Sequence, residues 1–156
     1  MIKIICVGKI KEKYLNDLID DYSKRISKYH KLEIIEVKDE STLDKERDSI
    51  KKHIGSNDYV ITLEIDGVSL SSIELAKKLD TTFNSYGTIT FIIGSSLGLH
   101  DYIKALANYR LSFSNLTFPH GLFRGILLEQ IYRFFKIINN ETYHNELNPK
   151  SWTVYK

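Results

Sequence analysis

The sequence predicts an α/β fold, in which a mainly parallel sheet is flanked by helices. Short runs of branched apolar residues alternate along the chain with segments whose apolar residues recur every three or four positions. This alternation of strands and helices is typical of a parallel sheet. In addition, three of the short runs are almost continuously apolar, as expected for strands that are buried on both faces by helices.

Five runs have the composition of strands, because they are short and rich in Ile, Val, Leu, Thr, Tyr and Phe. They are residues 2–7, 32–37, 59–65, 88–93 and 109–113. The second run alternates apolar and polar residues, whereas the first, third and fourth are nearly continuous apolar runs. The second strand is therefore expected to be less completely buried than the others.

Helices are expected in the gaps between these strands. The apolar positions place them around residues 15–26, 43–54, 73–83, 100–107 and 122–138. Ser71 and Glu74 have the spacing of a capping box at the start of the third helix. The last helix has the strongest pattern, and its apolar residues cover more of its circumference than one sheet face needs. We therefore expect this helix to contribute to a dimer interface or to be wholly internal.

Several features of the whole chain indicate what kind of protein it is. No repeat, low-complexity tract or flexible linker divides the 156 residues, so we predict a single domain covering residues 1–156. Cys6 is the one cysteine, and no Cys/His cluster has zinc spacing, so neither an internal disulfide nor a metal site is expected. We found no secretory signal and no apolar run near the ~20 residues that span a bilayer, which favours a cytoplasmic protein without membrane association. The net charge of +2 permits a polyanionic partner without requiring one.

Three predicted strands are followed by unusual loops, and ligands bind beyond the carboxyl ends of such strands. The loops are residues 62–67, 94–99 and 112–120. The second contains Gly94 and Gly98, which allow close backbone approach or a positive φ, but it has neither the Walker nor the Rossmann spacing. Alone it is equally consistent with an ordinary turn. The third loop is partly apolar, so its apolar side chains must be covered, either by another part of the protein or by a ligand.

A series of motifs resembles the ribosomal RNA pseudouridine N3-methyltransferases of the SPOUT superfamily. The motifs are Val7-Gly8-Lys9-Ile10-Lys11-Glu12-Lys13-Tyr14; Ile61-Thr62-Leu63-Glu64 with Gly67 and Ser71-Ser72; Phe91-Ile92-Ile93-Gly94 with Gly98-Leu99-His100; Leu111-Ser112-Phe113-Ser114 with Thr117-Phe118-Pro119-His120; Arg124; Glu129-Gln130-Ile131-Tyr132-Arg133; and Tyr143-His144. They occur in the family's order and cover residues 1 to about 144. Their shared order makes the resemblance far more specific than any one motif.

The resemblance implies a sheet whose C-terminal part is tied into a deep trefoil knot, and a homodimer. It also implies that S-adenosylmethionine is bound in the knot. The expected cofactor-binding residues come from the three loops described above. They are Leu63, Gly94, Gly98, Phe113, Ser114, Asn115, Leu116, Thr117 and Phe118.

The implied reaction is methyl transfer to N3 of a pseudouridine in 23S ribosomal RNA, within the large-subunit helix that bridges to the small subunit. The resemblance also implies that Tyr143 and His144 lie near the methyl group, often supplied by the partner subunit. His144 is either a proton acceptor or a residue that only orients the base. Phosphate contacts are expected from basic residues, each of which is equally well explained as a solvated surface charge. They are Lys9, Lys11, Lys13, Arg124 and Arg133.

The chain departs from the family pattern at three places. Ser95 stands where a second glycine is usual, and Leu97 stands where a polar residue is usual. Residues 146–156 form an additional tail that includes Trp152 and Tyr155. The first two departures bear on cofactor affinity and the third on RNA access. They leave two alternatives open, namely a SPOUT methyltransferase with a different RNA target and a catalytically weak RNA-binding or ribosome-assembly factor.

Overall fold

Five parallel strands form one sheet in the computed structural model, which describes residues 1–143. The strands are β1 (Ile2–Val7), β2 (Leu32–Val37), β3 (Tyr59–Ser69), β4 (Ile89–Ile93) and β5 (Tyr109–Ser112). Their order across the sheet is β2-β1-β4-β3-β5, and every neighbouring pair is parallel. The predicted α/β class with a parallel sheet is therefore confirmed.

Five helices cover the two faces of this sheet. They are α1 (Lys13–Ser27), α2 (Leu43–Lys51), α3 (Ser72–Phe83), α4 (Asp101–Leu106) and α5 (His120–Ile138). The first, third and fifth share one core layer with the sheet, whereas the second and fourth pack in a smaller layer on the opposite face. No helix among residues 1–143 is both long and apolar enough to cross a membrane.

The central strands β1 and β4 are buried on both faces, as their continuous apolar runs predict. In β1, Ile4 and Cys6 belong to the larger core, while Ile5 and Val7 belong to the smaller one. This assignment follows from the alternation of side chains along a strand. Burial raises the pKa of the Cys6 thiol to about 11, so this cysteine is a core residue rather than a nucleophile.

Strand β3 is longer than predicted, because it continues through the segment that the sequence indicated as a loop. Its pairing with β5 shifts between Leu63 and Val68 and then resumes. Gly67 lies within this irregular stretch, where a Cβ atom would approach the Arg110 backbone to 2.8 Å. The strand can pass so close to its neighbour because residue 67 has no side chain.

Helix α5 begins at His120, two residues before its predicted start, and most of its apolar surface is covered by α1 and α3. Among its large apolar residues, Leu122 is the one that is more than a third exposed, at 38%. The wide apolar circumference of this helix is thus explained mainly by packing within the chain. The capping box predicted for α3 is confirmed, since Ser71 and Glu74 each bond the other's backbone N–H.

Candidate cofactor site

A cavity of about 710 Å³ opens at the carboxyl ends of β3, β4 and β5. Its volume lies in the range of about 300–1,000 Å³ that is typical of small-molecule sites. The lining residues come from the irregular part of β3, the end of β4, the loops after β4 and β5, and the helices that follow those two loops. They are Leu63, Glu64, Ile65, Asp66, Ile93, Gly94, Ser95, Ser96, Gly98, Leu99, Lys104, Phe113, Ser114, Leu116, Thr117, Phe118, Pro119, His120 and Phe123.

Three phenylalanines form an aromatic wall of the cavity. The ring centroid of Phe123, on α5, lies 5.2 Å from that of Phe113 and 6.1 Å from that of Phe118. The apolar loop between β5 and α5 therefore packs on the first turn of the following helix. This contact positions the loop while other faces of its residues line the cavity.

The loop between β4 and α4 needs both of its glycines, but for different reasons. Gly98 has φ +84°, and a Cβ atom built there would meet no atom within 4 Å. Gly94 has an ordinary φ, but a Cβ atom there would lie 2.6 Å from the Gly98 carbonyl oxygen. Gly98 therefore presents open backbone at the cavity, and Gly94 allows the two ends of the loop to touch.

Glu64 is a half-buried acidic residue in the wall of the cavity, and its side chain is 6% exposed. Its carboxylate accepts hydrogen bonds from Thr62 Oγ1 at 2.7 Å and from Arg110 Nε and Nη2 at 2.7 and 2.6 Å. Lys104 Nζ lies 3.7 Å away. Burial alone would raise the pKa of the Glu64 carboxyl, but the bonds from Arg110 and Thr62 outweigh burial and hold the pKa below its ordinary value. Glu64 is therefore a carboxylate at neutral pH.

The predicted cofactor-binding residues come together around this cavity. All of them line it except Asn115, which is exposed in the same loop. Lys104 and Phe123 also line the cavity and were missed by the sequence analysis. Each is the fourth residue of the helix that follows a lining loop, so extending each loop by one helical turn would have found both.

Tyr143 lies away from the cavity in its own chain. Its hydroxyl is 3.3 Å from the Tyr22 hydroxyl, and its ring meets that of Tyr132 edge-on with centroids 5.0 Å apart. Burial and the Tyr22 hydroxyl raise the pKa of Tyr143, so its side chain is a neutral phenol. His144 and the tail of residues 146–156 lie outside the described residues.

The three lysines predicted to contact RNA are exposed at the start of α1 or in the segment before it. Lys9 and Lys11 lie in that segment, and Lys13 is the first residue of the helix. Lys13 Nζ lies 2.7 Å from Asp17 Oδ2, where both side chains are largely in solvent. Such a surface ion pair contributes little energy, so it can be exchanged for a phosphate.

The two arginines of the same prediction have carboxylate partners within the chain. Arg124 is 3% exposed, and its Nη1 donates to Glu36 Oε2 at 2.6 Å while Nη2 donates to the Gly8 carbonyl at 3.2 Å. A phosphate would reach this guanidinium only after the pair opened. Arg133 Nε donates to Glu129 Oε1 at 2.8 Å, one turn earlier on α5.

A family model described as "Predicted SPOUT methyltransferase" matches residues 1–144. The chain belongs to this family.

Related sequences match this SPOUT chain over nearly their whole length. A Clostridium botulinum protein (strain 657 / Type Ba4) named ribosomal RNA large subunit methyltransferase H is 52% identical, over 92% of this chain and 98% of its own. A Methanococcus maripaludis protein (strain C5) that is provisionally given the same name is 54% identical with the same coverage. Among solved structures, a probable methylase family protein from Haemophilus influenzae Rd KW20 has a TM-score of 0.54 at 14% identity, over 97% of this chain and 74% of that chain. This last similarity shows the shared fold alone.

Proposed function

We propose that this SPOUT protein uses S-adenosylmethionine to methylate N3 of a pseudouridine in 23S ribosomal RNA. The observation that carries the proposal is the cavity around which the irregular part of β3 and the loops after β4 and β5 converge. The names of the relatives, which are ribosomal RNA large subunit methyltransferases, support the substrate. The resemblance described above supports the base and its position in the intersubunit-bridge helix.

The residues of the cavity suit this cofactor. Leu63, Phe113 and Phe118 provide apolar surface for an adenine ring and a methionine chain. The open backbone at Gly98 leaves room that a side chain would fill. When bound, S-adenosylmethionine supplies an electrophilic methyl group on a sulfonium. Most of the lining is apolar, so the few polar groups of the wall, including the Glu64 carboxylate, determine the orientation of the bound cofactor.

We propose further that two copies of the chain form the active enzyme and that the C-terminal part of the sheet is knotted, as in other SPOUT proteins. The position of Tyr143 away from its own cavity supports a second copy, which would bring its Tyr143 and His144 to this site. Exposed apolar residues near the cavity support the same idea, because a partner would cover them. They are Leu97 (51% exposed), Leu116 (70%) and Leu122 (38%).

RNA binding in this proposal begins with the exposed lysines 9, 11 and 13, whose charges attract phosphates. The protein then has to hold N3 in line with the methyl group while the N3 proton leaves. Either His144 accepts that proton, or the proton passes to solvent and His144 only orients the base. We propose a cytoplasmic location for the protein, because its proposed target is the ribosome. We propose also that residues 1–156 are a single domain, with residues 146–156 available to influence RNA access.

The test is methyl transfer to ribosomes isolated from cells that lack this gene. Protein and S-adenosylmethionine should convert one pseudouridine of 23S RNA to its N3-methyl form, detected by mass spectrometry of nuclease digests. Ribosomes from cells that also lack the pseudouridine synthase for that site are the matched control and should accept much less methyl. Methylation at another nucleotide would indicate the alternative RNA target, and cofactor binding without transfer would indicate a binding or assembly factor.

A further inference from the structure

Glu46 is a buried acidic residue that does not line the cavity. It lies in the first turn of α2 and is 2% exposed. No salt bridge to Glu46 forms among residues 1–143. A carboxylate buried without a cation is rare, so its hydrogen bonds must account for its presence.

Those hydrogen bonds connect α2 to the turn of residues 95–98 in the cavity wall. Glu46 Oε1 accepts from Ser95 Oγ at 2.7 Å, and the same Ser95 Oγ accepts from the Leu97 backbone N–H at 3.1 Å. The turn is closed by the Gly98 N–H, which donates to the Ser95 carbonyl at 2.9 Å. Ser95 therefore connects the Glu46 carboxylate, through its hydroxyl, to Gly98, through its carbonyl.

The carboxylate is stabilised from its own side as well. Glu46 Oε2 accepts from the Glu40 N–H at 3.3 Å, and the N-terminal turn of α2 favours a negative charge. The helix is held in place at its start, because the Thr42 hydroxyl accepts from the Lys45 N–H. Glu46 is thus held by hydrogen bonds within the chain.

A second bond connects α2 to the far end of the same loop. His100 Nε2 lies 2.9 Å from Asp44 Oδ1, and His100 Nδ1 accepts from the Tyr102 N–H at 2.9 Å. Because Nδ1 is an acceptor, the ring proton is on Nε2 and is donated to Asp44. Helix α2 therefore holds the β4–α4 loop at both ends.

We propose that Glu46 is a positioning residue for the cofactor loop, with the Ser95 hydroxyl as the connecting group. The bond between them keeps the turn of residues 95–98 in its binding conformation, so that less conformational entropy is lost when the cofactor binds. A glycine at position 95, which is usual in the family, has no hydroxyl to make this bond. The inference rests on the proposed function in that S-adenosylmethionine is the ligand.

The experiment measures S-adenosylmethionine affinity by calorimetry in the full chain and its variants. Ser95→Ala and Glu46→Ala should each weaken binding about tenfold, the effect of losing one hydrogen bond to a charged group. The double variant should bind no more weakly than the weaker single variant, because one bond is lost in all three. Glu46→Gln keeps an acceptor oxygen for Ser95 and should retain most of the affinity. In steady-state assays of Ser95→Ala and Glu46→Ala, KM for the cofactor should rise while kcat at saturating cofactor is retained.

Thr90→Val is the matched control. Thr90 is also fully buried on β4, and its hydroxyl donates to a carboxylate, Asp58 Oδ2, at 2.9 Å, but it does not line the cavity. This variant should lose thermal stability without losing cofactor affinity. Wild-type affinity in the folded Ser95→Ala protein would overturn the positioning role. If the wild type itself fails to bind S-adenosylmethionine, the proposed cofactor is refuted, and this inference falls with it.

Discussion

At the scale of single residues, the shape of the site depends on glycines, because they have no Cβ atom. Gly94 is the clearest case, because the loop after β4 folds back until the Gly98 carbonyl touches the position that a Cβ atom would occupy. The contact is with backbone, which cannot rotate away as a side-chain end can. A side chain at position 94 therefore changes the shape of the loop itself rather than only obstructing a ligand.

We expect Gly94→Ala to lower S-adenosylmethionine affinity by at least about tenfold, since a contact of 2.6 Å must be relieved by moving the loop. Calorimetry on the purified protein measures this directly. Gly87→Ala is the matched control, because a Cβ atom at that position meets nothing within 4 Å and its φ is not in the positive region. Equal affinities for the two variants would show that the loop can absorb the methyl group and that Gly94 is not needed for binding.

At the level of elements, the starts of α2, α3 and α4 each have a side chain that accepts from a backbone N–H of the first turn. Helix α3 begins with a complete capping box, in which the Ser71 hydroxyl accepts from the Glu74 N–H at 3.1 Å and the Glu74 carboxylate accepts from the Ser71 N–H at 2.9 Å. This start lies directly after β3, whose last residue is Ser69. The cap thus determines where the chain, after leaving β3, begins helix α3.

We expect Ser71→Ala to reduce the free energy of unfolding by about 1 kcal/mol, because the first turn of α3 loses its side-chain acceptor. Urea denaturation followed by circular dichroism gives this value. Glu74→Gln is the companion variant, since an amide oxygen can still accept from the Ser71 N–H, and its destabilisation should be smaller. A larger effect for Glu74→Gln than for Ser71→Ala would show that charge, not the cap geometry, stabilises this helix start.

Across the whole molecule, stability should depend on carboxylates at opposite ends of the sheet. Asp58 accepts bonds from Lys3 Nζ, the Gly55 N–H and Thr90 Oγ1 at 2.9–3.0 Å. Burial alone would raise the pKa of Asp58, but the bonds from these three groups outweigh it and hold the pKa below its ordinary value. Glu64 in the cavity wall behaves in the same way.

Since both groups have lowered pKa values when folded, the unfolded chain takes up their protons first as the pH falls. Their stabilisation is therefore present above the ordinary carboxyl pKa of about 4 and is lost below it. The urea midpoint should be steady from pH 7 to about pH 5 and fall steeply towards pH 3. Asp58→Asn should have a lower midpoint at pH 7 and a smaller decline with acid. An equal decline in wild type and variant would exclude Asp58 as a source of the pH dependence.

The proposed second copy is also tested on the whole molecule. Sedimentation should give about twice the chain mass of 18.1 kDa at micromolar concentration. Leu116→Asp should shift the protein towards the single-chain mass and lower methyl transfer, because it places a charge on a 70% exposed apolar residue at the cavity. Leu106→Asp, on an exposed leucine of α4 that does not line the cavity, is the control and should leave the mass unchanged. A wild-type mass near 18 kDa would refute the dimer.

The sequence by itself determined the class of fold, the order of its elements and most of the site. Strand runs, helical faces and the Ser71 cap are local patterns, because they depend on residues one to four positions apart. The position of the cavity could also be predicted, since parallel strands bring their carboxyl ends to one edge of a sheet, although the first of the three predicted loops is part of β3. The resemblance predicted which residues bind the cofactor, and all of these residues except Asn115 line the cavity.

Only the tertiary structure decided which distant residues meet. The sequence predicted that Arg124 contacts phosphate or is a solvated surface charge, but in the fold it is buried and donates to Glu36, 88 positions earlier. Glu46 lies in a charged stretch of sequence, but in the fold it is buried and accepts from Ser95, 49 positions later. Neither partner is set by local periodicity, since each depends on how two elements pack across the sheet. The burial of a charged residue is therefore a property of the folded chain, and at Glu46 it indicates how the cofactor loop is held.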